Sequence, residues 1–127
     1  MGGAMNWFRG KGPGKLKYAN KPVVDGGLRF DSTGEFKRWC VLRLLEKGHA
    51  IKNLERQKRY KMEVNGVHIC TYVADFAYSE YLAMFGWQDV VEDFKSPATM
   101  SPIFAIKRKL MKACHGIEVR VTGKGVK

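Results

Sequence analysis

Two short stretches carry residue types suited to chemistry on a phosphate ester. VVEDFK, residues 90–95, sets Glu92, Asp93 and Lys95 among Val90, Val91 and Phe94. YVADF, residues 72–76, sets Asp75 among apolar neighbours. A charge inside an apolar run costs free energy unless it is exposed, paired or used. Successive side chains of a strand point to opposite faces. Asp93 and Lys95 therefore share a face, about 6.6 Å apart along the strand. Glu92 points the other way, with Val90 and Phe94, and is expected to pair with a basic helix. By the same alternation Asp75 shares a face with Val73 and lies opposite Ala74 and Phe76. If the two strands pair, Asp75 and Asp93 converge at one end of the sheet.

Two converging carboxylates suit a hard divalent cation. Mg²⁺ prefers oxygen ligands and is usually held by one or two carboxylates together with waters and phosphate oxygens. Such an ion lowers the pKa of a water and offsets negative charge as it develops. A lysine on the same face can orient that water or stabilise charge on the phosphate.

These residues need a scaffold, and the pattern supplies one. VVDGGLRF, 23–30, reads as a short strand with a turn at Gly26-Gly27. Ser32 and Glu35 have the spacing of a capping box, and Phe36, Trp39, Cys40, Leu42 and Leu44 or Leu45 form a helical stripe, giving a helix over about 33–47 that Gly48 stops. Tyr60, Met62 and Val64 alternate as a strand. Asn65-Gly66 is a hairpin turn, and VHICTYVADFAY returns beside it. SEYLAMFGWQ is looser and leads into the 90–95 strand. A second helix starts with Ser101 as cap and Pro102 in its first position and ends at Gly116, with Ile103, Ile106, Leu110 and Cys114 as one face. IEVRVT, 117–122, is a last strand. The order predicts an α/β fold, a mixed β-sheet flanked by helices. Residues 1–20 read as a flexible basic arm, 21–122 as one domain and 123–127 as a basic tail.

The 127 residues suffice for one core. With 45% apolar and 12% aromatic residues the chain should fold rather than stay disordered. Twenty-three Lys and Arg against twelve Asp and Glu leave a net charge of +11, which favours a polyanionic partner, most simply nucleic acid. Charge kept only for solubility is the alternative. Cys40, Cys70 and Cys114 make neither a disulfide framework nor a zinc site, and His68 beside Cys70 lacks a second ligand pair. No apolar run spans a bilayer and no leader is visible, so a cytoplasmic protein without membrane contact is expected.

In order along the chain, Glu35 on the first helix, Asp75 and then Asp93-Phe94-Lys95 resemble the PD-(D/E)XK nuclease superfamily. From about Tyr18 to Val121 the chain also resembles a small phage-associated family of unassigned function, through the RFDS-x-x-E helix start, LERQ, YVADF, VVEDFK and the KRKL helix. The superfamily resemblance implies a restriction-endonuclease-like core and Mg²⁺-dependent DNA cleavage, with Mn²⁺ able to substitute. It gives Asp75, Asp93 and Glu35 as metal ligands and Lys95 as the residue that orients water. Small phage Holliday-junction resolvases are similar in size and motif order, which implies branched DNA as substrate, a homodimer, and a phage-encoded protein at work in a bacterial cell. A restriction-, transposase- or repair-type endonuclease on the same site is the alternative, and a non-catalytic phage DNA-binding protein is a third reading. Ala74 stands where the superfamily pattern has Pro, and Asp93 where Glu is commoner, which shortens that ligand by one methylene.

Several residues keep two readings. Glu35 either closes a cap with Ser32 or reaches the metal. Gln57 either supports Lys95 or a ligand water, as in related nucleases, or is an ordinary surface residue. Lys107, Arg108, Lys109 and Lys112 either grip DNA phosphates or form a solvated helix face. Tyr81 and Phe85-Gly86-Trp87 either stack on bases or serve a dimer contact or the core.

Overall fold

A computed structural model describes residues 22–96 and 100–123. The expected basic arm, with Trp7 and Phe8, the end of the basic tail and part of the loop before the second helix lie outside the described residues. The chain divides into two units, Met1–Thr33 and Gly34–Lys127. In the first, β1 (Val23–Asp25) and β2 (Leu28–Phe30) pair antiparallel. The segment read as one short strand is thus a hairpin. Gly26 and Gly27 both take positive φ, 58° and 83°, as a tight hairpin turn requires.

The second unit is a four-stranded mixed sheet flanked by helices, as the pattern predicted. Its elements are α1 (Thr33–Lys47), β3 (Ile51–Val64), β4 (Val67–Leu82), β5 (Gly86–Phe94), α2 (Pro102–His115) and β6 (Arg120–Thr122). The strands lie in the order β3-β4-β5-β6; the first three are antiparallel neighbours and β6 runs parallel to β5. Asn65 and Gly66 make the β3–β4 turn at φ 52° and 80°. The SEYLAMFGWQ segment is not loose: its pairs Glu80↔Gln88, Tyr81↔Trp87 and Leu82↔Gly86 carry β4 and β5 out to a second hairpin. The final strand is shorter than 117–122, because only Arg120–Thr122 pair with β5.

Both helix boundaries follow their caps. Ser101 is extended and its Oγ accepts from the N–H of Phe104 at 3.1 Å, with Gly116 left-handed at the other end of α2. At the end of α1 the left-handed residue is His49, φ 67°, rather than Gly48. Two apolar clusters lie on the two faces of the sheet. Leu42 of α1 packs with Ile51, Phe76, Tyr78 and Val90; Phe104 and Met111 of α2 pack with Met62, Tyr72, Ala74, Val91 and Val119. Full burial of side chains of this size contributes about 1.5–3 kcal/mol each. The buried face of α2 is therefore Phe104–Met111. Of the expected face, Leu110 and Cys114 pack partly buried against this cluster, whereas Ile103 and Ile106 are exposed. In α1, Cys40 and Leu44 are likewise exposed while Leu42 is buried.

Candidate active site

The β4–β5 register places Phe76 opposite Glu92, and one step further brings Asp75 opposite Asp93. There the main-chain ladder gives way to the two carboxylates. The N–H of Asp75 donates to Oδ1 of Asp93 at 3.1 Å, and the N–H of Phe94 donates to Oδ2 of Asp75 at 2.8 Å. Each acid thus takes up a donor that would otherwise be left over where the strands part. The Tyr72 hydroxyl donates to Oδ2 of Asp93 at 2.8 Å, inside the α2-side cluster. Lys95 Nζ lies 3.9 Å from the same oxygen and 4.6 Å from the Phe104 ring centroid. Asp93 and Lys95 share a face as the alternation required.

Simple alternation fails at Asp75. Its two even-numbered neighbours are in different cores, Ala74 on the α2 side and Phe76 on the α1 side. The inversion coincides with a left-handed residue on β3. The pairs Arg56↔Phe76 and Lys58↔Ala74 bracket Gln57 and Asp75, and Gln57 has φ 54°. A left-handed residue turns the strand over and changes which face the following side chains occupy. Gln57 Nε2 then reaches Oδ1 of Asp75 at 3.5 Å, a weak contact that nevertheless brings Gln57 into the row. Row order across the sheet is Gln57, Asp75, Asp93.

Glu35 is buried in the first turn of α1. Its Oε2 lies 3.8 Å from Nη2 of Arg56 on β3, and its charge acts on Asp75. Gly34 beside it fits against the Phe94 ring so closely that a Cβ there would fall 2.4 Å from Cζ. The helix start is thereby held against the end of β5. Burial, reinforced by the charges of Asp93 and Glu35, pushes the Asp75 carboxyl up to about 8, against a smaller opposing effect of the Phe94 N–H.

Among the described residues, no three His, Cys, Asp or Glu side chains stand together as a metal cage. Mg²⁺ needs fewer, since waters and substrate phosphate complete its shell. Asp75 and Asp93 fit that lesser demand. They are adjacent, their oxygens retain lone pairs beyond the hydrogen bonds above, and their surplus negative charge is what a dication would offset. Glu35, from the first turn of α1, adds its charge at Asp75.

Glu92 takes no part in this row. Fully buried, it accepts from Arg38 of α1 at 2.6 and 2.9 Å, from the Tyr78 hydroxyl at 2.7 Å and from Thr122 at 3.2 Å. It is the salt-bridge partner of a helix arginine, as its face implied. The four α2 cations separate into two kinds. Arg108 lies over the Phe104 ring and donates to the carbonyl of Val119 at 3.3 Å, which ties it into the fold. It also borders a shallow surface depression with Lys109, Lys112 and Glu118, where Lys109 and Lys112 are exposed. Tyr72 and Arg56 were missed from sequence. Alternation put Tyr72 on the face opposite Asp75, and only the inversion at the Gln57–Asp75 row brings its hydroxyl to the site.

The comparisons add a family without a function. A family model described as "Protein of unknown function (DUF1064)" matches residues 15–124, and the chain belongs to that family. No curated protein and no solved structure matches it. No helix among the described residues is long and apolar enough to cross a membrane.

Proposed function

For this member of the DUF1064 family, we propose a metal-dependent DNA endonuclease of the PD-(D/E)XK type, acting in the cytoplasm of a bacterial cell on phage or host DNA. The observation that carries the reading is the pairing of Asp75 with Asp93 at the point where β4 and β5 part, with Lys95 on the same face as Asp93. A surface meant only to hold DNA gains nothing from a buried acid paired with a half-buried one. The net charge of +11 accounts for the polyanion the acids by themselves would repel.

In this reading Asp75 and Asp93 hold Mg²⁺, or Mn²⁺ in its place, and Glu35 flanks them. When bound, the ion would neutralise charge on the phosphate and acidify a nearby water. Tyr72 and the N–H groups of Asp75 and Phe94 fix the two carboxylates, so little reorganisation is needed as charge develops. Lys95 orients the water that attacks phosphorus; the 3′ oxygen leaves and a 5′-phosphate remains. Lys107, Lys109 and Lys112 hold the flanking phosphates.

Branched DNA, such as a four-way junction, is the favoured substrate, cut by two copies of the chain. Support for a second copy comes from the outer β4–β5 hairpin, where Met84 and Phe85 are 86% and 75% exposed beside Tyr81 and Trp87. The test is a gel panel of four-way junction, flap, linear duplex and single strand, with and without Mg²⁺. Nicking that needs Mg²⁺, favours the junction and disappears in Asp75→Asn and Asp93→Asn is expected. Equal products from all three proteins would refute the site. Tight DNA binding with no cleavage under any metal would favour a non-catalytic role.

A further inference from the structure

A polar cavity lies over β3, β4 and β5, reaching Val91, two residues before Asp93. It has a volume of about 300 Å³ and is lined by Glu55, Lys58, Tyr60, Ser79, Asp89 and Val91, among others. That is the small end of the range for ligand pockets, about 300–1,000 Å³. Val91 belongs to the α2-side cluster that also holds Tyr72, the hydrogen-bond partner of Asp93. Asp89, Val91 and Asp93 alternate along β5, so the lining residue Val91 is two positions, about 7 Å along the strand, from Asp93.

The lining is specific in its chemistry. Lys58 Nζ lies 3.3 Å from Glu55 Oε2, which sets a cationic donor directly beside an anionic acceptor. The Ser79 hydroxyl donates to Oδ1 of Asp89 at 3.0 Å and leaves the other carboxylate oxygen available. Tyr60 also lines the cavity, but its ring is already engaged, with Lys58 Nζ 5.7 Å from its centroid and with Tyr72 and His115 against it. A phosphate would be a poor occupant, because two carboxylates face the cavity against one lysine. A planar heterocycle with amino donors next to ring acceptors suits all of these groups. Its amino groups would donate to Glu55 or Asp89, and its ring acceptors would receive from Lys58.

We propose that this cavity is a subsite for one unpaired nucleobase of the substrate strand, next to the phosphate held at Asp75 and Asp93. The proposal rests on the nuclease reading for its substrate, and it deepens that reading. Linear duplex keeps every base paired and stacked, so it cannot fill the cavity without an unpairing cost, whereas a branch point offers unpaired bases at little cost. Preference for branched DNA then follows from a pocket rather than from overall charge.

The experiment measures binding without cleavage. Anisotropy titrations in EDTA use a labelled flap DNA in which each nucleotide at the branch carries, in turn, an abasic analogue. Wild type should lose about tenfold in affinity at one position and little elsewhere, the size of one good base contact. In the doubly substituted Glu55→Gln/Asp89→Asn protein, intact DNA should bind about tenfold more weakly. The abasic position should then add no further loss, as for two partners in one contact. Both residues are surface-accessible, and a melting curve checks that the variant folds. A uniform abasic profile, or losses that add independently, would overturn the subsite, as would DNA binding too weak to measure. Cleavage of the same flap in Mg²⁺ is read separately. Cleavage with a uniform abasic profile removes the pocket and keeps the nuclease; a single sensitive base without cleavage keeps the pocket and removes the nuclease.

Discussion

Asp75 and Asp93 face each other across β4 and β5, and the N–H of Asp75 donates to Oδ1 of Asp93 at 3.1 Å where the main-chain ladder ends. Two carboxylates brought this close, one of them poorly solvated, resist ionising together. The same contact fixes their geometry and stores the repulsion that a cation relieves.

That repulsion sets a pH dependence. A free Asp titrates near 3.9, and Asp75 in the folded chain is pushed up to about 8. A carboxyl raised by folding adds stability that is full below the lower value and is lost as pH rises through the higher one. Without divalent metal, wild type should therefore lose stability between about pH 4 and pH 8. Asp75→Asn should lack that component and exceed wild type at pH 8 by about 1–3 kcal/mol, the usual cost of an uncompensated buried polar or charged group. Mg²⁺ at pH 8 should raise the melting temperature of wild type but not of Asp75→Asn. Parallel pH profiles for the two proteins in EDTA would contradict the assignment.

Tyr72 is expected to matter through Asp93. Its hydroxyl donates to Oδ2 of Asp93 at 2.8 Å. Burial, together with the Asp93 charge, drives the phenol pKa well above its ordinary range, so it stays a donor. Tyr72→Phe should cost about 1.5–3 kcal/mol, the range for a hydrogen bond to a charged group. Its Mg²⁺ requirement in cleavage should move to higher concentration. An unchanged Mg²⁺ titration would show that the hydroxyl does not orient the ligand.

Gly123 holds Lys95 in place. At φ 138° a Cβ would fall 1.8 Å from the Lys95 carbonyl oxygen, while the Lys95 N–H donates to Thr122 O at 2.7 Å. Gly123→Ala must push the end of β5 away from β6. The φ value alone is costly for any residue with a Cβ, about 1–3 kcal/mol. Cleavage should fall by more than thermal stability suggests, because the displaced residue is Lys95. Full activity in Gly123→Ala would show that the position of Lys95 is not critical.

Glu92 should govern stability and leave the chemistry alone. Removing one side of a buried ion pair costs about 3–5 kcal/mol. Glu92→Ala should approach that loss against Arg38, and Glu92→Gln, which keeps an acceptor, should lose less. At a temperature where both remain folded, Mg²⁺-dependent cleavage by Glu92→Gln should match wild type. Abolished cleavage in a folded Glu92→Gln protein would place Glu92 in the reaction.

The α2 cations should separate in salt titrations. Lys109→Ala or Lys112→Ala should lower the salt slope of DNA binding by roughly one unit for each phosphate no longer neutralised. Arg108→Ala should instead cost stability, through the Phe104 ring and the Val119 carbonyl. Equal salt slopes for wild type and both lysine variants would move the DNA to another face.

By itself the sequence determined the element order from α1 onward, the α1 range, the caps of α2, the Asn65-Gly66 hairpin and the separation of Asp93 from Glu92. All of these rest on local rules: side-chain alternation in an uninterrupted strand, a side-chain acceptor at a helix start, and positive φ in a two-residue turn. Which face Asp75 takes was not local. The alternation inverts in the row that Asp75 shares with left-handed Gln57, a neighbour only through the β3–β4 pairing, and this inversion admits Tyr72 to the site. The buried face of α2 was read only in part, at Leu110 and Cys114, for a related reason. Ile103 and Ile106 are as apolar as the residues that are buried, and only docking on the sheet chose Phe104 and Met111. The polar cavity gathers residues from three strands and appears in no single stretch of the chain. Periodicity reports what an element prefers alone; register, inversion and packing against neighbours decide which side chains meet.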